Sequence, residues 1–218
     1  MRRAATPTGL ESSIDGTPES SNLKAQLAKL GLHSMAVQFE AEADRAAKSE
    51  STYSACLTRL VEAELADKTD RSVNARTARA RFPVLRTLEE FDFAFQPGLS
   101  APRIRELANL GFINQAANIV MVGEPGVGKT HLAIALGLRA CQARRSVRFA
   151  ATPQLLDQLV AADVSHTLGK LLDQLGRLDL LVIDELASPD GRAPRQPVLP
   201  AGRPEVHQVV APDQQRRL

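Results

Sequence analysis

Apolar residues recur with a helical period at the start of the chain and with a mixed strand-and-helix rhythm further on. Leu23, Leu27 and Leu30 fall at i, i+4 and i+7, and Gly31 supplies a stop. Ser34 is placed to cap a second helix carrying Met35, Phe39 and Ala43 on one face. A third helix, over residues 52–68, aligns Leu57, Leu60, Val61 and Leu65. The pattern predicts a small all-α domain over residues 21–81, its apolar stripes packed on one another. Arg81-Phe82-Pro83 closes it, because proline disfavours helix at the residue before it. Phe91, Phe93 and Phe95 then alternate, as in an extended segment docking aromatic rings, and Pro97-Gly98 turns the chain into a helix over 103–110.

From there, apolar strands alternate with helices, which predicts an α/β fold with a parallel sheet. Strands are expected at 119–122, 147–150 and 178–186. Helices are expected at 130–143, with Leu132, Ile134 and Leu136 inward, from 153 onward with Thr152 as cap, and at 165–176. The first 20 residues, rich in Ser, Thr, Pro and Gly, carry too few large apolar groups to offset their ordering entropy and are expected to lack structure.

The first strand runs into Gly123, Glu124, Pro125, Gly126, Val127, Gly128, Lys129, Thr130 and His131. Gly123 to Thr130 fits G-x-x-x-x-G-K-[ST], the P-loop pattern. Glycines let backbone N–H groups close around a phosphate, and the following helix aims its free N-terminal N–H groups at the same anion. Lys129 would reach the β- and γ-phosphates of ATP, and the Thr130 hydroxyl would ligate Mg²⁺. The window Gly123 to His131 is therefore the expected nucleotide contact, although the His131 ring itself reads as a packing group. The strand over 178–186 delivers Asp184 and Glu185 at its carboxyl end, where open α/β sheets bind ligands. This is a Walker B arrangement: Asp184 for Mg²⁺, Glu185 to polarise the attacking water, and Lys129 as the second catalytic group.

Composition narrows the picture only slightly. The chain has 218 residues, 44% hydrophobic and 24% charged, with a net charge of +2. One Tyr, seven Phe and no Trp argue against an aromatic platform for single-stranded nucleic acid. Cys56 and Cys141 lie far apart without metal-ligand spacing and read as idle thiols. No apolar run reaches the length of a membrane span, and Arg2-Arg3 precedes no apolar signal segment, so a cytoplasmic protein without membrane association is expected. Lys68, Arg71, Arg76 and Arg79 fall within one arc of a continued helix, with Arg81 opposite. They form either a solvated face or a contact to DNA phosphates.

The stretches RFPVLRTLEEFDFAFQPGL, IRELANLGFI, GEPGVGKTHLAIALG, SVRF, LLDQL and LDLLVIDEL together resemble the IstB-like ATP-binding proteins, transposition helpers of bacterial insertion sequences. These are related to the DnaC helicase loaders within the AAA+ ATPases. The resemblance covers roughly residues 23–187 and is densest over 82–186. It implies a helical N-terminal domain followed by an AAA+ domain, ATP and Mg²⁺ as cofactors, and ATP-dependent homo-oligomers on double-stranded DNA that direct a transposase. Two other readings stay open: a DnaC-like helicase loader, and a non-catalytic DNA-binding or oligomerising remnant.

The resemblance ends near Ala187. Residues 188–218 hold six of the chain's 13 prolines and show no apolar period, as a disordered tail would. The tail is expected to be frameshifted or otherwise aberrant, or else a natural basic Pro-rich linker, with a partial AAA+ P-loop NTPase fold over 82–187. By resemblance the strand order would be 5-1-4-3-2, with strands 4 and 5 missing. The strands at 119–122 and 178–186 would lose their shared neighbour, and hydrolysis would be weak or absent.

Overall fold

Three helices open the chain: α1 (Pro18–Lys29), α2 (His33–Lys48) and α3 (Tyr53–Ala80). The computed structural model describes residues 18–49, 51–94, 98–186 and 205–210. The contact pattern divides the chain into two units between Arg71 and Ser72. That point lies inside α3, upstream of the boundary at 81/82 read from the sequence. The expectations for residues 1–17, 188–204 and 211–218, and for Phe95 and Pro97, lie outside the described residues. Pro18 to Ser20, expected to lack structure, begin α1, and Ser20 is buried with its hydroxyl 3.2 Å from Glu40 Oε1.

In the first unit, Gly31 ends α1 with φ +71, a conformation that costs glycine little. Ser34 does not cap α2. The helix starts two residues earlier, at His33, Leu32 at its N-cap makes no side-chain bond, and Ser34 accepts from Gln38 Nε2 at 2.9 Å. The cap comes from α3 instead: Met35 N–H donates to Glu64 Oε2 at 3.0 Å. A carboxylate at a helix N-terminus answers both the free N–H groups and the dipole. Burial pushes the Glu64 carboxyl up, but the N–H groups of Met35 and Ser34, with Lys68 and Arg71, outweigh it and hold it low.

This cap explains a second departure. Leu60 and Glu64 form the buried row of α3, whereas Leu57, Val61 and Leu65 are 56%, 40% and 59% exposed. The expected packing of that stripe against the other helices is thus corrected. Turning Glu64 inward to hold α2 turns the neighbouring apolar row outward. α3 also runs on from Lys68 to Ala80 through a polar stretch that carries no apolar period.

The second unit begins with the end of α3, where Ala80 is fully buried in the unit's core. Arg81 stops the helix with φ 58. Then follow α4 (Ala101–Leu107), α5 (Gly111–Asn114), β1 (Ala117–Val122), α6 (Lys129–Gln142), β2 (Val147–Ala151), α7 (Thr152–Val164), α8 (Leu168–Gly176), β3 (Leu180–Asp184) and β4 (Glu205–Val210). Ser100 caps α4, its Oγ accepting from Arg103 N at 3.4 Å, and proline sits in the first turn. β2 and β3 pair in parallel, Val147 opposite Leu180 through Ala151 opposite Asp184. α6 packs on this pair and buries Leu132, Ile134 and Leu136 as expected, together with Cys141. Burial pushes the Cys141 thiol up, which keeps it unreactive.

The result is a helix-rich α/β unit with a short parallel sheet, consistent with a partial P-loop NTPase fold. β1 and β3 do not pair. β1 takes β4 as an antiparallel partner, Ala117 opposite Val210 through Val122 opposite Glu205. A strand was not expected in the tail. It forms between Pro204 and Pro212, where all six residues of β4 keep their N–H donors. Among the described residues, β3 pairs only with β2, and no helix is long and apolar enough to cross a membrane.

The starts of β2 and β3 are tied together by one side-chain pair. Asp179 Oδ2 accepts from Ser146 N at 2.7 Å and from Ser146 Oγ at 2.6 Å, while Asp179 N–H donates to Ser146 O at 3.0 Å. The Ser146 hydroxyl is the main reason the Asp179 carboxyl lies below its usual range. Glu40, held by Lys24, and Glu42, held by Arg59, are lowered likewise. A lowered folded-state value gives stability that is complete above the unfolded carboxylate range and is lost as pH falls through the folded value. Urea midpoints should therefore hold from neutrality down to about pH 5 and then fall. Asp179→Asn should lower the midpoint at pH 7 and flatten that fall. An unchanged acid limb in the variant would rule out this clamp as a contributor.

Candidate functional site

β1 ends at Val122 and α6 starts at Lys129, so the intervening loop joins a strand to a helix N-terminus. Gly126 (φ +82) and Gly128 (φ +89) supply the left-handed turns the loop needs. Gly128 has a second constraint: a Cβ there would lie 2.5 Å from Phe91 Cε2. Phe91 thus lies against the end of the loop, itself 9% exposed, edge-on to Phe93 with centroids 4.9 Å apart. Gly123, Glu124, Pro125 and Gly126 are exposed; Val127 and Gly128 are half-buried. The first turn of α6 holds no acidic residue, so its free N–H groups and positive dipole end are available to an anion. Lys129 Nζ donates to Gly123 O and Glu124 O, both at 2.8 Å, and so folds back over the loop it follows.

β3 brings the acids to this loop. Thr130 Oγ1 donates to Asp184 Oδ2 at 2.8 Å, joining residues 54 positions apart. A hydroxyl and a carboxylate so close offer the hard oxygen donors that suit Mg²⁺. Among the described residues, no three His, Cys, Asp or Glu side chains converge on a metal position. A cation held here would complete its coordination with phosphate and water oxygens, the usual manner of Mg²⁺. Glu185 follows Asp184 with φ 57 and is exposed beyond the strand end.

One residue here differs from its sequence reading. Thr152 makes no capping bond to α7; Ala151 occupies the N-cap. Its Oγ1 donates instead to the carbonyl of Asp184 at 2.8 Å, anchoring the end of β3. Only its place at a strand–helix junction hinted at this. His131, inside the expected nucleotide window, lies 2.8 Å from Thr87 O through Nε2 and edge-on to Phe91 at 5.2 Å. A carbonyl can only accept, so Nε2 carries the proton. The ring is committed to the entry segment, as a packing group would be.

The basic residues read from the sequence over 68–81 fall in both units. Lys68 and Arg71 are engaged by Glu64 at 3.7 and 3.4 Å, and Arg71 also by Asp67 at 2.5 Å. Arg76, Arg79 and Arg81 belong to the second unit.

Known proteins are similar to this chain in sequence. A protein of Pseudomonas aeruginosa named for insertion sequence IS21 and ATP binding is 37% identical over 164 residues, 75% of this chain and 62% of the relative. One of Geobacillus stearothermophilus, named for IS5376 and ATP binding, is 38% identical over 158 residues, 72% of this chain and 63% of the relative. A third, of Bacillus thuringiensis and named for IS232, is 32% identical over 164 residues, 75% of this chain and 66% of the relative. The chain thus spans a little under two thirds of the length of these relatives. Residues 25–200 match the family described as IstB-like ATP binding protein, a match that takes in both the glycine loop and the strand bearing Asp184. On that match, the chain belongs to the IstB-like ATP-binding proteins.

Proposed function

We propose that this chain binds ATP with Mg²⁺ at Gly123 to His131 and acts as a cytoplasmic helper in the transposition of an insertion sequence. The observation that carries the reading is the 2.8 Å bond from Thr130 to Asp184, which unites the end of the P-loop with the first acid of β3. The loop N–H groups and the α6 N-terminus hold the phosphates, and Lys129 exchanges its loop carbonyls for phosphate oxygens. Thr130 and Asp184 hold the cation, which supplies charge neutralisation at the phosphates. Glu185 accepts a proton from the attacking water. The names of the relatives favour insertion-sequence transposition, with double-stranded DNA and the transposase as partners and a homo-oligomer as the working form.

Turnover is proposed to be slow. Among the described residues no strand joins β1 to β3, so the phosphate loop and Glu185 sit on strands with no shared neighbour. Positioning contributes most of the rate in phosphoryl transfer. The test is calorimetric titration with ATP in the presence and absence of Mg²⁺, alongside phosphate release. Mg²⁺-dependent binding that Asp184→Asn weakens, with little release, is expected. ATP affinity unaffected by Mg²⁺ and by Asp184→Asn would overturn the assigned cation site. Turnover matching a full-length relative, and abolished by Lys129→Ala, would overturn the slow-turnover reading.

A further inference from the structure

The second unit contains a cavity of about 280 Å³ lined by Arg76, Arg79, Arg81, Arg148, Ser146 and Gln174, with Val147 and Leu178 as its apolar wall. It lies at the starting ends of β2 and β3, whereas Asp184 closes the opposite end of the same pair. Four guanidinium groups share this space with no carboxylate among the lining residues. Asp179, next to Leu178, is already engaged by Ser146 and Arg145. Arg81 joins the cluster because its left-handed backbone (φ 58) turns the chain at the end of α3, which corrects the expectation that it lies opposite Arg76 and Arg79. Arg148 spends one Nη on Gln158 Oε1 at 2.5 Å. The Nε atoms of Arg76 and Arg148 are both buried without a hydrogen-bond partner among the described residues.

Like charges gathered around one cavity repel one another, and no lining carboxylate offsets them. An anion with several oxygens answers that repulsion and offers acceptors to the arginine donors that face it. A single carboxylate neutralises one of four charges; a phosphate offers more acceptors and more charge, in the fork geometry that guanidinium matches. We propose that this cavity is a phosphate-binding site separate from the P-loop, taking either a backbone phosphate of duplex nucleic acid or a free phosphate or pyrophosphate. It stands independently of the ATP reading.

The experiment uses the full chain and Arg79→Gln/Arg81→Gln, two exposed positions, with Arg79→Lys/Arg81→Lys as a charge-preserving control. Binding of a labelled 20-base-pair duplex is followed by anisotropy across a salt series, and binding of pyrophosphate by calorimetry. A urea curve, with ATP titration of the P-loop where the parent binds ATP, reports whether each variant is folded. Loss of about tenfold in duplex affinity, with a salt slope shallower by about two and ATP binding unchanged, supports the site and identifies nucleic acid as the source. Loss of pyrophosphate binding beyond that retained at the P-loop in Lys129→Ala, with duplex binding unchanged, supports it with a free phosphate as the source. If Gln and parent proteins bind both probes alike, or differ only in self-association, the proposal is overturned. If the Gln pair loses ATP binding too, Arg148→Lys replaces it and the same two outcomes decide.

Discussion

Lys129→Ala should lower ATP affinity by about ten- to a hundredfold while leaving the fold intact. Among the described residues the side chain bonds Gly123 O and Glu124 O, at 2.8 Å each, so its removal opens no core and strands no buried charge. With ATP bound, the same ammonium group has phosphate oxygens as acceptors. A hydrogen bond involving a charged group contributes about 1.5–3 kcal/mol, and each 1.4 kcal/mol is about tenfold in affinity. Calorimetric titration with ATP and Mg²⁺, paired with a urea curve, separates binding from stability. Equal affinity in parent and variant would remove Lys129 from the site. A large loss of stability would mean that its loop bonds, rather than its reach to phosphate, are what matters.

Gly128→Ala is expected to be the most damaging single-methyl change in the second unit. At φ +89 an alanine loses about 1–2 kcal/mol to its own backbone. The added Cβ also stands 2.5 Å from Phe91 Cε2, and that ring packs edge-on to Phe93 and His131, so moving it disturbs both contacts. Overpacking of this sort costs about 1–3 kcal/mol more. Denaturant melts should show a combined loss of roughly 2–5 kcal/mol. In a Phe91→Leu background the steric part should shrink, leaving the backbone part. If the penalty is the same in both backgrounds, the contact with Phe91 plays no role.

The loop was legible in the sequence because its chemistry is local: glycines, Lys129 and Thr130 must follow one another for a backbone to wrap a phosphate and a helix to begin. The parallel β2–β3 pair was legible from alternating apolar strands and helices. What escaped the sequence depends on partners distant along the chain. Ser34 and Thr152 have the residue type of a cap, yet Glu64 caps α2 from another helix and Thr152 bonds the carbonyl of Asp184. The stripe of Leu57, Val61 and Leu65 has helical spacing, but spacing does not say which row of α3 turns inward, and Glu64 decided that. The pocket of arginines depends on the direction change at Arg81, a single dihedral that no periodicity encodes. β4 forms by backbone bonds to β1, so it needs free N–H groups more than an apolar pattern.

That last pairing bears on how the chain acquires its structure. Val147 meets Leu180 across a short excursion through α7 and α8, whereas Ala117 meets Val210 across a segment nearly three times as long. Closing the longer segment costs about 1 kcal/mol more in chain entropy. Contacts distant in sequence also form late. The β2–β3 pair with its two helices is thus expected to assemble early, and β4 to zip onto β1 at the end. The strand that carries the phosphate loop is the one whose partner arrives last, so the loop should be the final part of the second unit to become rigid.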